Sequence, residues 1–423
     1  MKIDEHSPTS VQKHSTIIQN QSKPSLSNSA GGGGPPIHVL HMINDLDDGG
    51  AQTMLCKLLE HRSDERLRYS VVSFLDGGLN RERVLDAGVP LKQLGLSRGK
   101  ATPAAWLRVV QTLRQNRSSQ AQGPCLIQGW LYHANLAAIT SRLPIDRKTA
   151  TLWNIRHSLH DIQQEKALTR SVIRASGLFA RLADKVVYCS KVSVQQHIGV
   201  GFSKKNVAVI PNGFDCSEFK PSTDAREKLC TDLGIDPKRK IIGMAARYHP
   251  MKDHALLLQA AARLQASGQA LHLVLIGKNV DPDNEALCRT IADLDLNDHV
   301  SLLGYRSDMA ALIAGVDVYA MSSKWGEGFP NVLGEAMASG VPCAATDVGD
   351  SRWIIGDTGR VVLPGDVEAF AEEALGPLLN LDPAERRRLC EAARARILDN
   401  FSIDAVTAQY EDLYLKIGQR LVM

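Results

Sequence analysis

The sequence is poor in several features that would quickly assign a protein to a class. Aromatic residues make up 5% of its 423 positions, and 49 basic against 46 acidic side chains leave a formal charge of only +3. So small a net charge gives no electrostatic footprint for nucleic acid, which is therefore not an expected partner. No apolar run reaches the roughly 20 residues that cross a bilayer, so no membrane-spanning helix is expected. The eight cysteines, at positions 56, 125, 189, 216, 230, 288, 343 and 390, include no Cys-x-x-Cys and no His/Cys cluster at zinc-site spacing. That scatter argues against a disulfide framework or a structural metal; the thiols read as small buried hydrophobes in a reducing, cytoplasmic compartment. The first 36 residues lack the apolar stretch of a secretory signal. Rich in Ser, Gln, Gly and Pro, they read as a disordered tail.

From Ile37 onward short apolar runs alternate with helical patterns. Strands are expected at 37–43, 69–75, 125–130, 150–157 and 185–190, and in a second series at 240–247, 271–277, 299–304, 316–323 and 341–349. Unbroken apolar strands separated by amphipathic helices mean parallel strands buried on both faces, and two series mean two doubly wound α/β domains. The junction is expected near "VAVIPNGFD" (207–215), where a strand runs into a Pro-Asn-Gly turn. The expected units are thus a tail (1–36), a first domain (37–208), a second (209–400) and a terminal helix (401–423) returning toward the first.

Ligands of open α/β sheets sit beyond the carboxyl ends of the strands. Beyond 316–323 comes "KWGEGFPN" and a helix starting near Pro330, so Glu327 lies in a Gly-rich loop and Glu335 eight positions on, in the helix. Two carboxylates so placed suit the vicinal hydroxyls of a sugar or ribose, while Gly326 and Gly328 let the backbone approach a ligand closely and the helix-start amides near Asn331 and Val332 suit an anion or hydroxyl. Beyond 240–247, Arg247 and Lys252 flank a proline turn, a planar fork and a compact charge fit for one diphosphate. Beyond 37–43, Gly49 and Gly50 open a helix; the strand 150–157 ends in Arg156 and His157, and beyond 125–130 comes His133. Tyr305 and Arg306 follow 299–304, where they could border a nucleobase. The acidic runs "DLDD" and "DPD" are taken as loop and helix-start residues, so no metal site is expected.

With these residues in place the chain resembles the retaining glycosyltransferases of family 4. The resemblance is carried by "DDGGAQTMLCKLL", "VIPNGFD", "AARYHPMKDH", "LLGYRSD", "EGFPNVLGEAMASGVPCAATDVGD" and "GDTGRVV", in family order over about residues 37–418. It implies the GT-B fold, two Rossmann-like domains facing across a cleft, and transfer of a hexosyl unit from a nucleoside diphosphate sugar, with UDP as the family's commoner carrier. It implies that Glu327 binds donor-sugar hydroxyls and Glu335 the ribose, and that Arg247 and Lys252 hold the diphosphate. Gly328, Phe329, Pro330, Asn331 and Val332 would line the pocket, Gly50 with Gly49 would lie under the phosphates, and His157 would sit beside the reacting carbon. His133 and Arg156 are left as candidates for the acceptor side. No cofactor beyond the nucleotide sugar is implied. One departure stands out: many relatives carry Glu after Gly-Gly-Ala, whereas this chain has Gln52.

The resemblance implies an acceptor that is a glycan or lipid-linked saccharide of cell-surface polysaccharide synthesis. "LTRSVIRASGLFARLADK", read as one helix, places Arg170, Arg174, Arg181 and Lys185 within about 60°, opposite Leu168, Val172, Phe179 and Leu182. Such a helix could rest on anionic lipid, or it could be a solvated face over a packed one, with Gly177 weakening it. A nucleotide-sugar epimerase on the same architecture and a non-catalytic sugar-nucleotide-binding protein remain as alternatives.

Overall fold

The computed structural model describes residues 35–97, 107–113, 115, 123–142 and 149–422, so nearly all of the expected tail lies outside the described residues. Two wholly parallel sheets organise the described chain. The first contains β1 (Ile37–Ile43), β2 (Leu67–Ser73), β3 (Leu91–Gln93), β4 (Cys125–Trp130), β5 (Thr149–Ile155), β6 (Lys185–Tyr188) and β7 (Val207–Val209), in the order β3-β2-β1-β4-β5-β6-β7. The second contains β8 (Lys240–Ala245), β9 (Leu271–Ile276), β10 (Val300–Leu302), β11 (Val318–Met321), β12 (Cys343–Thr346) and β13 (Arg360–Val362), in the order β10-β9-β8-β11-β12-β13. Strands β1, β4 and β9 bury every residue, which is why they read as unbroken apolar runs. The edge strands β3 and β13 are only three residues long and partly exposed, and neither leaves such a run.

In both sheets the strand order reverses beside the strand that opens it. The switch points therefore fall between β1 and β4 and between β8 and β11. The loops leaving these four strands open the crevice in which such sheets bind ligands.

The chain passes between the sheets twice, and the two crossings are bound together. Phe214 N donates to Phe401 O and Ile403 N to Phe214 O, both at 2.9 Å. The helix Ile403–Arg420 then seats Val406, Tyr410, Tyr414 and Ile417 in the core of the first sheet. Burial of the two tyrosines contributes about 2 kcal/mol each by apolar area, and the buried Glu411 accepts from Ser63 N and Oγ, both at 2.8 Å.

The amphipathic stretch near 167–185 is shorter than expected. A helix covers Ala167–Phe179, a 3₁₀ turn follows at Ala180–Leu182, and Lys185 already opens β6, so Arg181 and Lys185 leave the helical wheel. The buried face is Ile173, Ser176 and Gly177, while Leu168, Leu178, Phe179 and Leu182 are 68%, 69%, 46% and 48% exposed. Gly177 packs closely: a Cβ there would come 3.2 Å from the Val200 carbonyl oxygen.

Candidate active site

The second sheet supplies the charged half of the site. After β8 the chain turns through a 3₁₀ turn, Pro250–Lys252, capped by the His249 ring, which accepts from Met251 N at 3.1 Å. After β11 comes the loop carrying Glu327. The two loops are locked together: Ser322 Oγ donates to Lys252 O at 2.9 Å and Lys324 N to Met251 O at 2.8 Å. Gly326 adopts φ +80°, and a Cβ on it would lie 2.5 Å from Met251 Sδ, so a side chain would strain the turn and displace the Met251 side chain. This locking brings Lys252 Nζ to 2.5 Å from Glu327 Oε1, an oxygen that also accepts from Ser323 Oγ at 2.6 Å. The pair is largely buried, with side chains 19% and 10% exposed. Arg247, on the same turn, is exposed and makes no ion pair among the described residues.

The helix that follows, Asn331–Ala338, has Pro330 at its N-cap and no side-chain cap, which leaves the first amides, at Asn331 and Val332, without a capping partner. Asn331 Oδ1 accepts from Asn212 Nδ2 of the first crossing at 2.6 Å. Phe329 is buried and stacks on Phe214 at 6.0 Å, anchoring the loop from beneath, while the Gly328 carbonyl accepts from Asp350 N at 2.8 Å. One turn into the helix, Glu335 is half-buried, and among the described residues its carboxyl has no hydrogen-bond partner. Burial pushes it up to about 7, against the pull of Lys57 from the first domain and with a push from Glu218. Tyr305 and Arg306 lie beyond the edge strand β10. Tyr305 is 79% exposed, and Arg306 forks onto Asp308 at 2.8 and 2.6 Å.

The first sheet supplies a mostly neutral half. Gly49 caps and Gly50 opens the helix Gly50–Glu60, and a Cβ on Gly50 would meet nothing within 4 Å, leaving that helix start open to a ligand. Gln52 has a local reason: its Nε2 donates to Asp45 Oδ1 at 2.7 Å, a contact that a second carboxylate would replace with repulsion. Arg156 is held at the junction, where its guanidinium donates to Tyr410 Oη at 2.9 Å and to Asn212 Oδ1 and lies over the Trp130 ring at 5.6 Å. His157 is 38% exposed, with Nε2 3.3 Å from Glu165 Oε1 and Nδ1 3.2 Å from Tyr132 Oη. Burial lowers its pKa and Glu165 opposes the shift. His133 is exposed, and it is its neighbour Tyr132 that reaches His157.

The two halves touch through contacts that the sequence motifs do not show. The Asp350 carboxylate, 4% exposed, reaches across to the start of the helix Lys191–Gly199, where it accepts from Lys191 N at 2.6 Å and Val192 N at 3.1 Å. Lys191 Nζ in turn lies 4.1 Å from the centroid of the Trp353 ring. Ser158 Oγ sits 3.2 Å from the Glu327 carbonyl oxygen. Asp350 falls within the resemblance as the last residue of "TDVGD", but only its partner across the crevice reveals what it does.

Two doubly wound parallel domains meeting at their strand ends, with a lysine–glutamate pair at one switch point and an open Gly-Gly helix start at the other, define a glycosyltransferase of the GT-B fold. Residues 34–213 match the family described as glycosyl transferase 4-like domain, and residues 225–396 match glycosyl transferases group 1. The chain belongs to glycosyltransferase family 4. It is 26% identical over 421 residues to the MMP alpha-(1->4)-mannosyltransferase of Mycolicibacterium hassiacum, covering 92% of this chain and 96% of that one. It is 24% identical over 227 residues to the UDP-Gal:alpha-D-GlcNAc-diphosphoundecaprenol alpha-1,3-galactosyltransferase of Escherichia coli, covering 49% of this chain and 54% of that one. In fold it is similar to Anabaena HepE, solved in complex with UDP, with a TM-score of 0.73, 23% identity and coverage of 90% of this chain and 100% of that one.

Proposed function

We propose that this enzyme transfers a hexosyl unit, with retention, from a UDP-linked sugar to a hydroxyl of a glycan or lipid-linked saccharide in cell-surface polysaccharide synthesis. The observation that carries the reading is the Lys252–Glu327 pair, 2.5 Å apart at the switch point, with Arg247 exposed on the same turn. In this reading Arg247 and Lys252 hold the diphosphate, Glu327 takes hydroxyls of the donor sugar, and the half-buried Glu335 takes the ribose. The acceptor oxygen bonds to the anomeric carbon on the face from which the phosphate oxygen departs, and the hydroxyl proton passes to that departing oxygen. Growing negative charge meets two cations and the helix-start amides at Asn331 and Val332, so the step is electrostatic and asks for no metal ion. Closure about Asn212 and Gly213 would exclude water from the donor.

UDP is the first nucleotide to test because the family resemblance favours it and HepE was solved with it. The undecaprenol-linked substrate in the name of the galactosyltransferase supports a lipid-linked acceptor. No helix among the described residues is long and apolar enough to cross a membrane. The exposed Leu168, Leu178, Phe179 and Leu182, in the same stretch as the exposed Arg174 and Arg181, support contact with the cytoplasmic membrane face instead.

Isothermal titration of the full chain with UDP, GDP and ADP, in the presence of a chelator, tests the donor site. Micromolar binding of UDP that is lost in both Arg247→Ala and Glu335→Ala is the expected result. Absence of binding by all three nucleotides, or binding indifferent to both substitutions, would overturn the reading.

A further inference from the structure

Behind His157 runs a chain of hydrogen bonds whose direction can be worked out link by link. The Ser193 carbonyl can only accept, so His197 Nδ1, 2.7 Å away, must carry a proton. His197 has no exposed surface, and burial holds its pKa down to about 4, so the ring is neutral at physiological pH and its Nε2 bears a lone pair. Tyr132 Oη, 2.7 Å from that nitrogen, therefore donates to it. The tyrosine oxygen is left as an acceptor for His157 Nδ1, at 3.2 Å. In its neutral form His157 must then carry its one proton on Nδ1, which leaves Nε2 bare, 3.3 Å from Glu165 Oε1. That distance is longer than the roughly 2.7–2.9 Å of a charge-assisted hydrogen bond.

We propose that Tyr132 and His197 lock His157 in its Nδ1–H tautomer, and that His157 Nε2 and Glu165 form a one-proton pair at the edge of the crevice. When the pair is deprotonated, Nε2 offers any hydroxyl in the crevice an acceptor and never a donor. When the pair takes up a proton from solvent, Nε2–H turns to Glu165 and that acceptor is lost. The titratable groups turned toward His157 are Glu165, from the turn after Ile162–Gln164, Tyr132, from the helix Leu131–Arg142, and behind it His197, from Lys191–Gly199. The neighbouring cations are engaged elsewhere, Arg156 with Tyr410 and Asn212, and Lys252 with Glu327. Tyr132, His197 and Glu165 are positioning residues. The transferase reading is needed only to say that the hydroxyl belongs to a sugar.

Nitrogen-15 NMR of the full chain labelled at histidine tests the lock, with His157 assigned by difference from His157→Gln. The expected neutral form of His157 shows the Nδ1–H pattern, the minority tautomer of free histidine. In Tyr132→Phe the lock is gone and the Nε2–H pattern should appear. In Glu165→Gln the tautomer should persist while the titration midpoint of His157 falls by about one pH unit, because the carboxylate no longer favours the cation. An Nε2–H pattern in the unsubstituted protein, no change in Tyr132→Phe, or an unmoved midpoint in Glu165→Gln would each overturn the proposal. These readouts need no nucleotide, so a failed lock and a failed donor site are told apart.

Discussion

The two sheets share strand order around their switch points, yet they build their halves of the site by opposite means. In the second domain the candidate groups are charged, and two of them, Lys252 and Glu327, from the loops following β8 and β11, pair with each other. In the first domain the central group, His157, is oriented through neutral hydrogen bonds by Tyr132 and His197, which come from helices far apart in the chain. In the proposed reaction a departing diphosphate needs fixed charge, and a largely buried ion pair with a serine behind it would supply charge that does not have to reorganise. A site for hydroxyls needs donors and acceptors of defined direction, which a tautomer lock supplies without adding charge.

The strongest way to break this comparison is to remove the charge. Lys252→Ala should lower kcat/KM for transfer by about 10²- to 10³-fold, the loss typical of one preorganised transition-state donor. It should also cost about 1–3 kcal/mol of stability by leaving the largely buried Glu327 carboxylate with Ser323 alone. Steady-state kinetics and denaturant unfolding check the two effects separately. A loss under tenfold would move the phosphate-binding role to Arg247 and undo the contrast between the halves.

The same contrast explains what the sequence reveals and what it hides. Buried parallel strands leave apolar runs, so β1, β4, β8 and β9 are legible almost to the residue, and the strand-end rule then points to Arg247, Lys252 and Glu327. The three-residue edges β3 and β13 leave no run, and local periodicity prolongs the helix at 167 past its true end at Phe179 because it cannot register the turn into β6. The residues around His157 are hidden for a different reason. Tyr132, Glu165 and His197 meet only through the fold, and His133, the more conspicuous neighbour, turns out to be exposed. Asp350 is legible as part of a loop motif, but its hydrogen bonds to Lys191 and Val192 belong to tertiary structure.

A smaller effect is expected where the halves touch. Asp350→Ala removes the carboxylate from the first amides of the Lys191–Gly199 helix, and should weaken domain closure enough to lower kcat/KM by about 10- to 100-fold, in line with the cost of misplacing a bound reactant. Asp350→Asn should recover only part of this, since its NH₂ group would face one of the two amide N–H donors. Small-angle scattering with UDP bound should show a more open molecule for Asp350→Ala. Unchanged scattering together with unchanged kinetics would mean that the two halves are held together at the chain crossings alone.

The smallest effect sharpens the comparison from inside the charged half, because Glu335 is a charged group the fold leaves half-neutral. Its carboxyl is raised to about 7 from an ordinary 4.5, chiefly by burial. Between those values the native state holds a proton that the unfolded chain has released, so this group's contribution makes stability fall as pH rises through that window. Hydroxyls of a bound ribose need the ionised form as acceptor, so UDP affinity should strengthen by up to about tenfold between pH 6 and 8 as the carboxyl ionises. The nucleotide's own phosphate titrates nearby, and Glu335→Gln provides the baseline that isolates the carboxylate. Titration calorimetry across that range should show a steeper pH dependence in the unsubstituted enzyme than in Glu335→Gln. Equal slopes would mean that Glu335 does not reach the nucleotide, and that the ribose is held elsewhere along the same helix.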